Sequence, residues 1–398
     1  MDNKTRPKGK KMTQCIVGWA HSKFGKLDNE TLESLIVGVA VEAIADAGLE
    51  PAEIDAIYLG TMNAGLCRQE FPSSLVLQAH PGLRFKPATH VENACATGST
   101  AVYQGMHAIA AKKARFVLVV GVEKMTHLSS ADVGDVLIKA SYVAEEGGIE
   151  GGFVGVFGKI TEMYFEKYGD QSDAMAMIAA KNHRNGVNNP FAQVRRDLGY
   201  EFCRGDEKNP KVVGPLRRTD CSLVSDGAAA LVLTDGETAR HMSKAVAFRS
   251  AVHINDFLPM SKRSIIDFEG PTVAWQQALA DAGITLEDLS LVETHDCFTT
   301  AELIEYEAMG LTPRGQGARA ILEGWTEPTG KLPVNASGGL KAKGHPVGAT
   351  GVSMHVLCAM QLTGTAPGFQ IPGAKLAGIF NMGGAAVANF VSILERQN

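Results

Sequence analysis

Ala43-Ile44-Ala45-Asp46-Ala47-Gly48-Leu49 and Ala278-Leu279-Ala280-Asp281-Ala282-Gly283-Ile284 agree position by position, identical or conservatively changed, at a constant offset of 235 residues. The agreement continues downstream, where Glu53 matches Asp288, Ile54 matches Leu289 and Ile57 falls opposite Val292. Each copy reads as a helix, a glycine stop, a short linker and a strand, because a glycine just past the last periodic residue closes a helix in the left-handed conformation. One pair of copies this far apart does not fit a solenoid, whose units recur every few tens of residues. It predicts an internal duplication: two similar α/β domains related by a pseudo-twofold axis.

Outward from these copies, 116–120, 228–233 and 377–380 are continuous apolar runs, the pattern of strands buried on both faces of a sheet. They alternate with helical stretches such as 100–113, which follows Cys95-Ala96-Thr97-Gly98 and places Cys95 at a strand-to-helix turn. From about Glu123 to Val213 the duplication is broken by a segment rich in glycine (Gly147, Gly148, Gly151, Gly152, Gly155, Gly158) that ends in the polar stretch 204–211. Long elaborations on a packed scaffold tend to carry binding surfaces. The expected organisation is therefore a first half over 12–122, an insert with ligand contacts over 123–213, a return to the first half over 214–245, and a second half over 246–398.

Composition narrows the function classes. A chain of 398 residues, 45% hydrophobic and 20% charged, has material for two or three domain-sized units. A formal net charge of −5 gives no global basic field, so nucleic acid is not an expected partner. The 7 cysteines are odd in number and contain no Cys-x-x-Cys pair, which argues for reduced thiols and against a disulfide framework or a zinc site. No two histidines frame a glutamate at metal-binding helical spacing, so no metal is expected. Residues 1–11 are polar and lysine-rich, no run approaches a membrane span, and the end is not Ser-Lys-Leu; these features predict no signal peptide, no membrane anchor and a cytoplasmic location.

Three segments carry groups able to do chemistry. Cys95 stands in Val91-Glu92-Asn93-Ala94-Cys95-Ala96-Thr97-Gly98, where small neighbours permit close backbone approach and the following helix favours a thiolate; the plain alternative is a packing cysteine. His345 lies in Gly338-Gly339-Leu340-Lys341-Ala342-Lys343-Gly344-His345-Pro346-Val347-Gly348-Ala349-Thr350-Gly351, a loop of glycines and a proline that can aim an imidazole as a base and that lacks phosphate-loop spacing. His295-Asp296-Cys297-Phe298 follows the strand expected over 289–294, so its side chains emerge at a strand C-terminus, where open α/β sheets place their ligands.

In this order and spacing the three motifs resemble the thiolase superfamily, over essentially residues 14–395. The resemblance implies a five-layer αβαβα fold with an inserted loop domain. Two departures stand out from the Asn-Glu-Ala-Phe and late Cys-x-Gly loops found in many thiolases: here the segments read His295-Asp296-Cys297-Phe298 and Asn381-Met382-Gly383-Gly384. That pairing is similar to the sterol-carrier-protein-type thiolases, in which the cysteine of His-Asp-Cys-Phe takes the acid/base role. The resemblance then implies that Cys95 accepts the acyl group, His345 withdraws its proton, Cys297 exchanges the α-carbon proton and His295 holds a water or the carbonyl. It places a second oxyanion hole at the backbone amides of Cys95 and Gly383, and pantetheine contacts at Ser222 and Phe157. It also implies acyl-CoA and coenzyme A as substrates, no tightly bound cofactor, and a homodimer or homotetramer. The alternatives are a non-catalytic or partner-dependent acyl-CoA-binding subunit, or a ketoacyl-synthase-like or aldolase-like relative, which has no need of a second thiol.

Overall fold

The computed structural model describes residues 13–397; the segment 1–11 lies outside the described residues. Eleven strands are described: β1 (Gln14–His21), β2 (Ala56–Gly60), β3 (Ala88–Val91), β4 (Val117–Glu123), β5 (Lys211–Val213), β6 (Leu216–Arg217), β7 (Gly227–Asp235), β8 (Val246–Asn255), β9 (Leu291–Glu293), β10 (Leu376–Gly383) and β11 (Ala388–Arg396). The helices that matter most are α1 (Leu32–Asp46), α2 (Thr97–Ala110), α3 (Gly152–Tyr168), α4 (Ser172–Gly186), α5 (Glu269–Ala282), α6 (Thr299–Ala308) and α7 (Val347–Thr363).

The two sequence copies fold alike. α1 starts at a Thr31 cap whose hydroxyl takes the Ser34 amide, and it stops before Gly48 at φ 69°, as α5 stops at Gly283 at φ 64°. Any side chain in that left-handed conformation is strained, so glycine marks both ends. Each helix is followed by one 3₁₀ turn, at Pro51–Glu53 and Leu286–Asp288, and then by an inner strand. Nine strands share one sheet in the order β3-β2-β4-β7-β1-β8-β11-β10-β9. In the first half β2 runs parallel to β3 and β4, β4 antiparallel to β7, and β7 antiparallel to β1. In the second half β9 runs parallel to β10, β10 antiparallel to β11, and β11 antiparallel to β8. A parallel bridge from Val292 to Val334 stands where the counterpart of β3 would lie. β1 and β8 join the halves through the pairs Cys15–Ala247 and Ile16–Val246.

Packing around this folded-back sheet produces five layers. α1 sets Leu35, Ile36, Val39 and Ala43 against Val17, Leu118, Val120 and Val232 on one outer face. α5 sets Ala274, Trp275 and Ala278 against Val252, Val391 and Ile393 on the other. α2 and α7 fill the middle, with Val102, Met106, Val352 and Val356 between Val119 and Leu231 of one half and Ile379 and Phe390 of the other. These two helices cross backbone to backbone: a Cβ on Gly98 would lie 2.6 Å from the Val352 nitrogen, and one on Gly351 only 2.2 Å from the Ser99 nitrogen. The crossing fixes the relative position of the segments just before each helix, which carry Cys95 and His345.

Boundaries differ from the sequence pattern in four places. α2 begins at Thr97, one turn before the expected 100, because the chain turns straight from the Cys95 segment into the helix. β9 is only Leu291–Glu293. The glycine-rich stretch 338–351 is not all loop; it holds one helical turn at Gly339–Ala342 and the start of α7. Finally, β5 and β6 form a hairpin pairing Lys211 with Arg217 across Gly214 at φ 51°, so that hairpin spans the expected limit at 213/214. Among the described residues no helix is long and apolar enough to cross a membrane.

Candidate active site

Cys95 sits in a single 3₁₀ turn, Ala94–Ala96, between β3 and α2. Ala94 is held at φ 48°, a conformation costly for a residue with a Cβ. The sequence pattern suggests a thiolate, but burial, then Glu123 and Glu92, push the Cys95 thiol up to about 12, against the pull of backbone amides. The helix terminus does not compensate for the loss of water around the sulfur, so the resting Cys95 sulfur is a thiol. The amides that reach the sulfur are those of Cys95 itself and Gly384. Gly383, whose amide is expected beside that of Cys95 at an acyl oxyanion, ends β10 immediately before Gly384, which turns at φ 62°.

His345 precedes α7 and is anchored through its backbone and one ring nitrogen. Its backbone N–H donates to the Ser225 hydroxyl at 2.9 Å, and its Nδ1 lies 2.7 Å from the Thr350 hydroxyl. Burial, then the Lys343 ammonium, push His345 down to about 3, so the imidazole is neutral. His295 follows β9; its Nδ1 lies 3.0 Å from the Asn381 amide nitrogen, and burial, then His345, hold it well below the ordinary range. The two rings stand edge to face with centroids 5.1 Å apart, and the Nε2 atoms of both are buried without a partner. The Cys95 sulfur and one nitrogen of each ring all lie within 4.8 Å of one another. By donor count these three could also hold a metal.

Cys297 shares this centre. It is 3% exposed, its thiol is pushed well up by burial and then by Cys95, and its carbonyl accepts from the Ser222 amide at 2.8 Å. A cavity of about 100 Å³ touches Cys95, Cys297, His345, Ser222, Phe153 and Phe298. Phe157 is not on its surface: fully buried, it stacks on Phe298 with centroids 4.2 Å apart and stiffens the wall from behind. The structure thus brings Cys95, His295, Cys297, His345 and Ser222 together and leaves Phe157 in a supporting position.

Beneath the centre lies a polar floor that the sequence pattern does not reveal. Asp296 accepts from the Leu340 and Lys341 amides and from Asn182, tying the His295 segment to the turn that leads into His345. Glu302 on α6 accepts from Lys181, Asn182 and Asn335, and the Asn335 oxygen accepts the Thr294 amide. Glu123, at the end of β4, accepts from Thr61 and from the Met62, Asn63 and Gly348 amides; burial pushes it up to about 7. Cys221, a third thiol on the cavity wall, was also not singled out by the motifs. Its one sequence signal was adjacency to Ser222.

Fold and site together define a duplicated five-layer α/β protein built around a buried thiol and two neutral imidazoles. Sequence comparison extends this. The profile described as thiolase, N-terminal domain, matches residues 14–198, and that described as thiolase C-terminal domain-like matches 255–396. An acetyl-CoA acetyltransferase of Methanothermobacter thermautotrophicus is 35% identical over 388 residues, covering 96% of this chain and 99% of its own. Sterol carrier protein 2 of Homo sapiens is 33% identical over 404 residues, covering 94% of this chain and 70% of its own. Among solved structures, the Ltp2-ChsH2(DUF35) aldolase superposes with a TM-score of 0.81 at 20% identity, covering 96% of this chain and 97% of that one, a likeness of fold. The chain belongs to the thiolase family.

Proposed function

We propose that this protein is a thiolase acting on acyl-CoA through an acyl-Cys95 intermediate, with roles that follow from where each group stands. The Cys95 sulfur attacks a thioester carbonyl, His345 Nε2 takes the thiol proton, the tetrahedral oxyanion is held by the Cys95 and Gly383 amides, and coenzyme A leaves carrying that proton. Cys297 then passes its proton to the freed His345 Nε2 and, as a thiolate, removes an α-proton from a second acyl-CoA, whose enolate oxygen faces His295 and His345; the carbanion attacks the acyl carbonyl to form the new carbon–carbon bond, and Cys95 leaves and recovers its proton from His345. Thiolytic cleavage of a 3-ketoacyl-CoA is the same path reversed. Preorganised donors at the oxyanion contribute about 3 kcal/mol each in such sites, and parking the acyl group covalently makes the second step intramolecular.

The observation that carries this reading is the convergence of Cys95, His295 and His345 within 4.8 Å, with Cys297 on the same cavity. A binding-only subunit has no use for it, and an aldolase-like relative has no use for Cys297. Incubation with acetyl-CoA followed by mass spectrometry should show an acetyl adduct on Cys95; no adduct with any acyl-CoA sinks the reading.

The cavity argues for a short acyl group. An apolar cavity of about 150 Å³ takes benzene, so one of about 100 Å³ takes about four non-hydrogen atoms, an acetyl or propionyl unit. The remaining assignments are supported more lightly. Coenzyme A acts as substrate rather than bound cofactor, with Ser222 at its arm. The edge strand β3 is unpaired on one side and flanked by Phe71 and Phe85, 80% and 85% exposed, which suits edge-to-edge pairing in a homodimer. Seven free thiols suit the cytoplasm.

A further inference from the structure

We infer that Asn381 and Thr350 are positioning residues that hold His295 and His345 in opposite tautomers, making the first a hydrogen-bond donor and the second a base. The inference concerns the same centre as the thiolase reading and rests on it for its catalytic meaning, though not for its geometry.

The His295 assignment follows from a group that can act in only one sense. The Asn381 side-chain nitrogen lies 3.1 Å from the Cys95 carbonyl oxygen, which can only accept. The Asn381 oxygen takes the Ser99 hydroxyl at 2.8 Å. The amide is therefore fixed with its nitrogen toward Cys95 and His295, and its second hydrogen points at His295 Nδ1, 3.0 Å away. Nδ1 must then be the bare acceptor, and the single proton of a neutral ring sits on Nε2. That Nε2–H is buried without a partner. In a native core such an orphan donor is costly, and an enolate or thioester oxygen held beside Cys95 and His345 would satisfy it.

Thr350 commits His345 the other way. Its hydroxyl donates to the Pro346 carbonyl at 3.0 Å, the ordinary back-bond of a helical threonine. With its one hydrogen placed there, it accepts from His345 Nδ1 at 2.7 Å. The His345 proton therefore sits on Nδ1, and its buried Nε2 presents a lone pair to the Cys95 thiol. Two identical side chains 5.1 Å apart are thus given different chemistry by their partners behind them. Asn381 also takes His295 out of any metal-ligand set, since a protonated Nε2 cannot coordinate and Nδ1 is already occupied.

This gives the asparagine at the late loop a function of its own. It does not merely mark a missing cysteine; in a chain whose second loop begins with His295, it supplies the amide that orients that histidine. The departures from the Asn-Glu-Ala-Phe and Cys-x-Gly loops are one device.

Protein labelled with ¹⁵N-histidine reports the tautomers directly. At neutral pH, His295 should show its proton on Nε2 and His345 on Nδ1, each ring identified by its disappearance in a His→Gln variant. In Asn381→Asp the carboxylate can only accept, so the His295 proton should move to Nδ1. Turnover of Asn381→Asp should fall by about 10²–10³, the loss typical of one oxyanion donor, while adding Asn381→Asp to His295→Ala should cost less than about threefold more, since both remove one interaction. A wild-type His295 protonated on Nδ1, or losses that multiply in the double variant, overturns the inference. The wild-type spectrum needs no substitution to be read. Failure of the thiolase reading shows up separately, as wild-type protein that takes no acetyl group while its tautomers remain as stated.

Discussion

Replacing Gly351 with alanine should slow Cys95 acylation about 10²-fold while also destabilising the fold. The new methyl would stand 2.2 Å from the Ser99 nitrogen, 2.5 Å from the Asn381 oxygen and 2.6 Å from the Ser99 hydroxyl. Non-bonded contacts settle near 3.5 Å, so α2 and α7 must part by about 1 Å. The Ser99 nitrogen belongs to helix backbone, which cannot swing aside as a side-chain tip would. Overpacking of this kind costs about 1–3 kcal/mol. A displacement of about 1 Å between reacting groups costs about 10²-fold in rate, and here it falls between the two segments that carry Cys95 and His345. Rapid-quench mass spectrometry of the acetyl adduct measures the rate, and urea titration measures the stability. Gly38→Ala is the control, because nothing lies within 4 Å of its added Cβ in α1; it should gain about 0.5–1 kcal/mol and leave acylation alone. A Gly351→Ala protein that acylates within threefold of the parent refutes the claim that this crossing sets the site.

Cys297→Ala should keep Cys95 acylation and lose exchange of the acetyl-CoA α-protons with solvent deuterium; normal exchange would assign the acid/base to another group. Lys181→Met should destabilise by about 3–5 kcal/mol in chemical denaturation, because it strands the buried Glu302 carboxylate, whose side chain and that of Lys181 are both 0% exposed. Acid should unfold the protein early. Burial pushes His21, His183 and His345 down to about 3 and His355 to about 4, so the unfolded chain binds protons that the folded chain refuses. Their contribution is complete above about pH 6.5 and is lost as pH falls toward 3, at about 1.4 kcal/mol per pH unit for each histidine; urea midpoints that stay flat from pH 7 to 4.5 would contradict it. Phe153→Ala should raise the ratio of hexanoyl to acetyl adduct on Cys95 by at least about tenfold, the lower range for a methylene in an apolar pocket; an unchanged ratio would show that Phe153 does not limit chain length.

The sequence by itself determined the duplication and the cast of the site. Helix ends, glycine stops and buried strands are local patterns, so 43–57 and 278–292 announce their shared form without any knowledge of contacts. Cys95, His295, Cys297 and His345 stand in motifs distinct enough to be picked out by residue type and order. What only the tertiary structure decided is how those groups are protonated and which backbone atoms serve them. The thiolate suggested by a helix terminus gives way to a thiol, because desolvation is a property of the whole packed interior. The Gly384 amide meets the sulfur because one left-handed turn aims it there. Phe157 stands behind the cavity because α3 packs it on Phe298. Asp296, Glu123, Thr350 and Asn381 hold the reactive groups through hydrogen bonds that link residues as far as 286 positions apart. Such partners leave no periodic trace in a sequence, since the direction of a hydrogen bond depends on what lies on its far side.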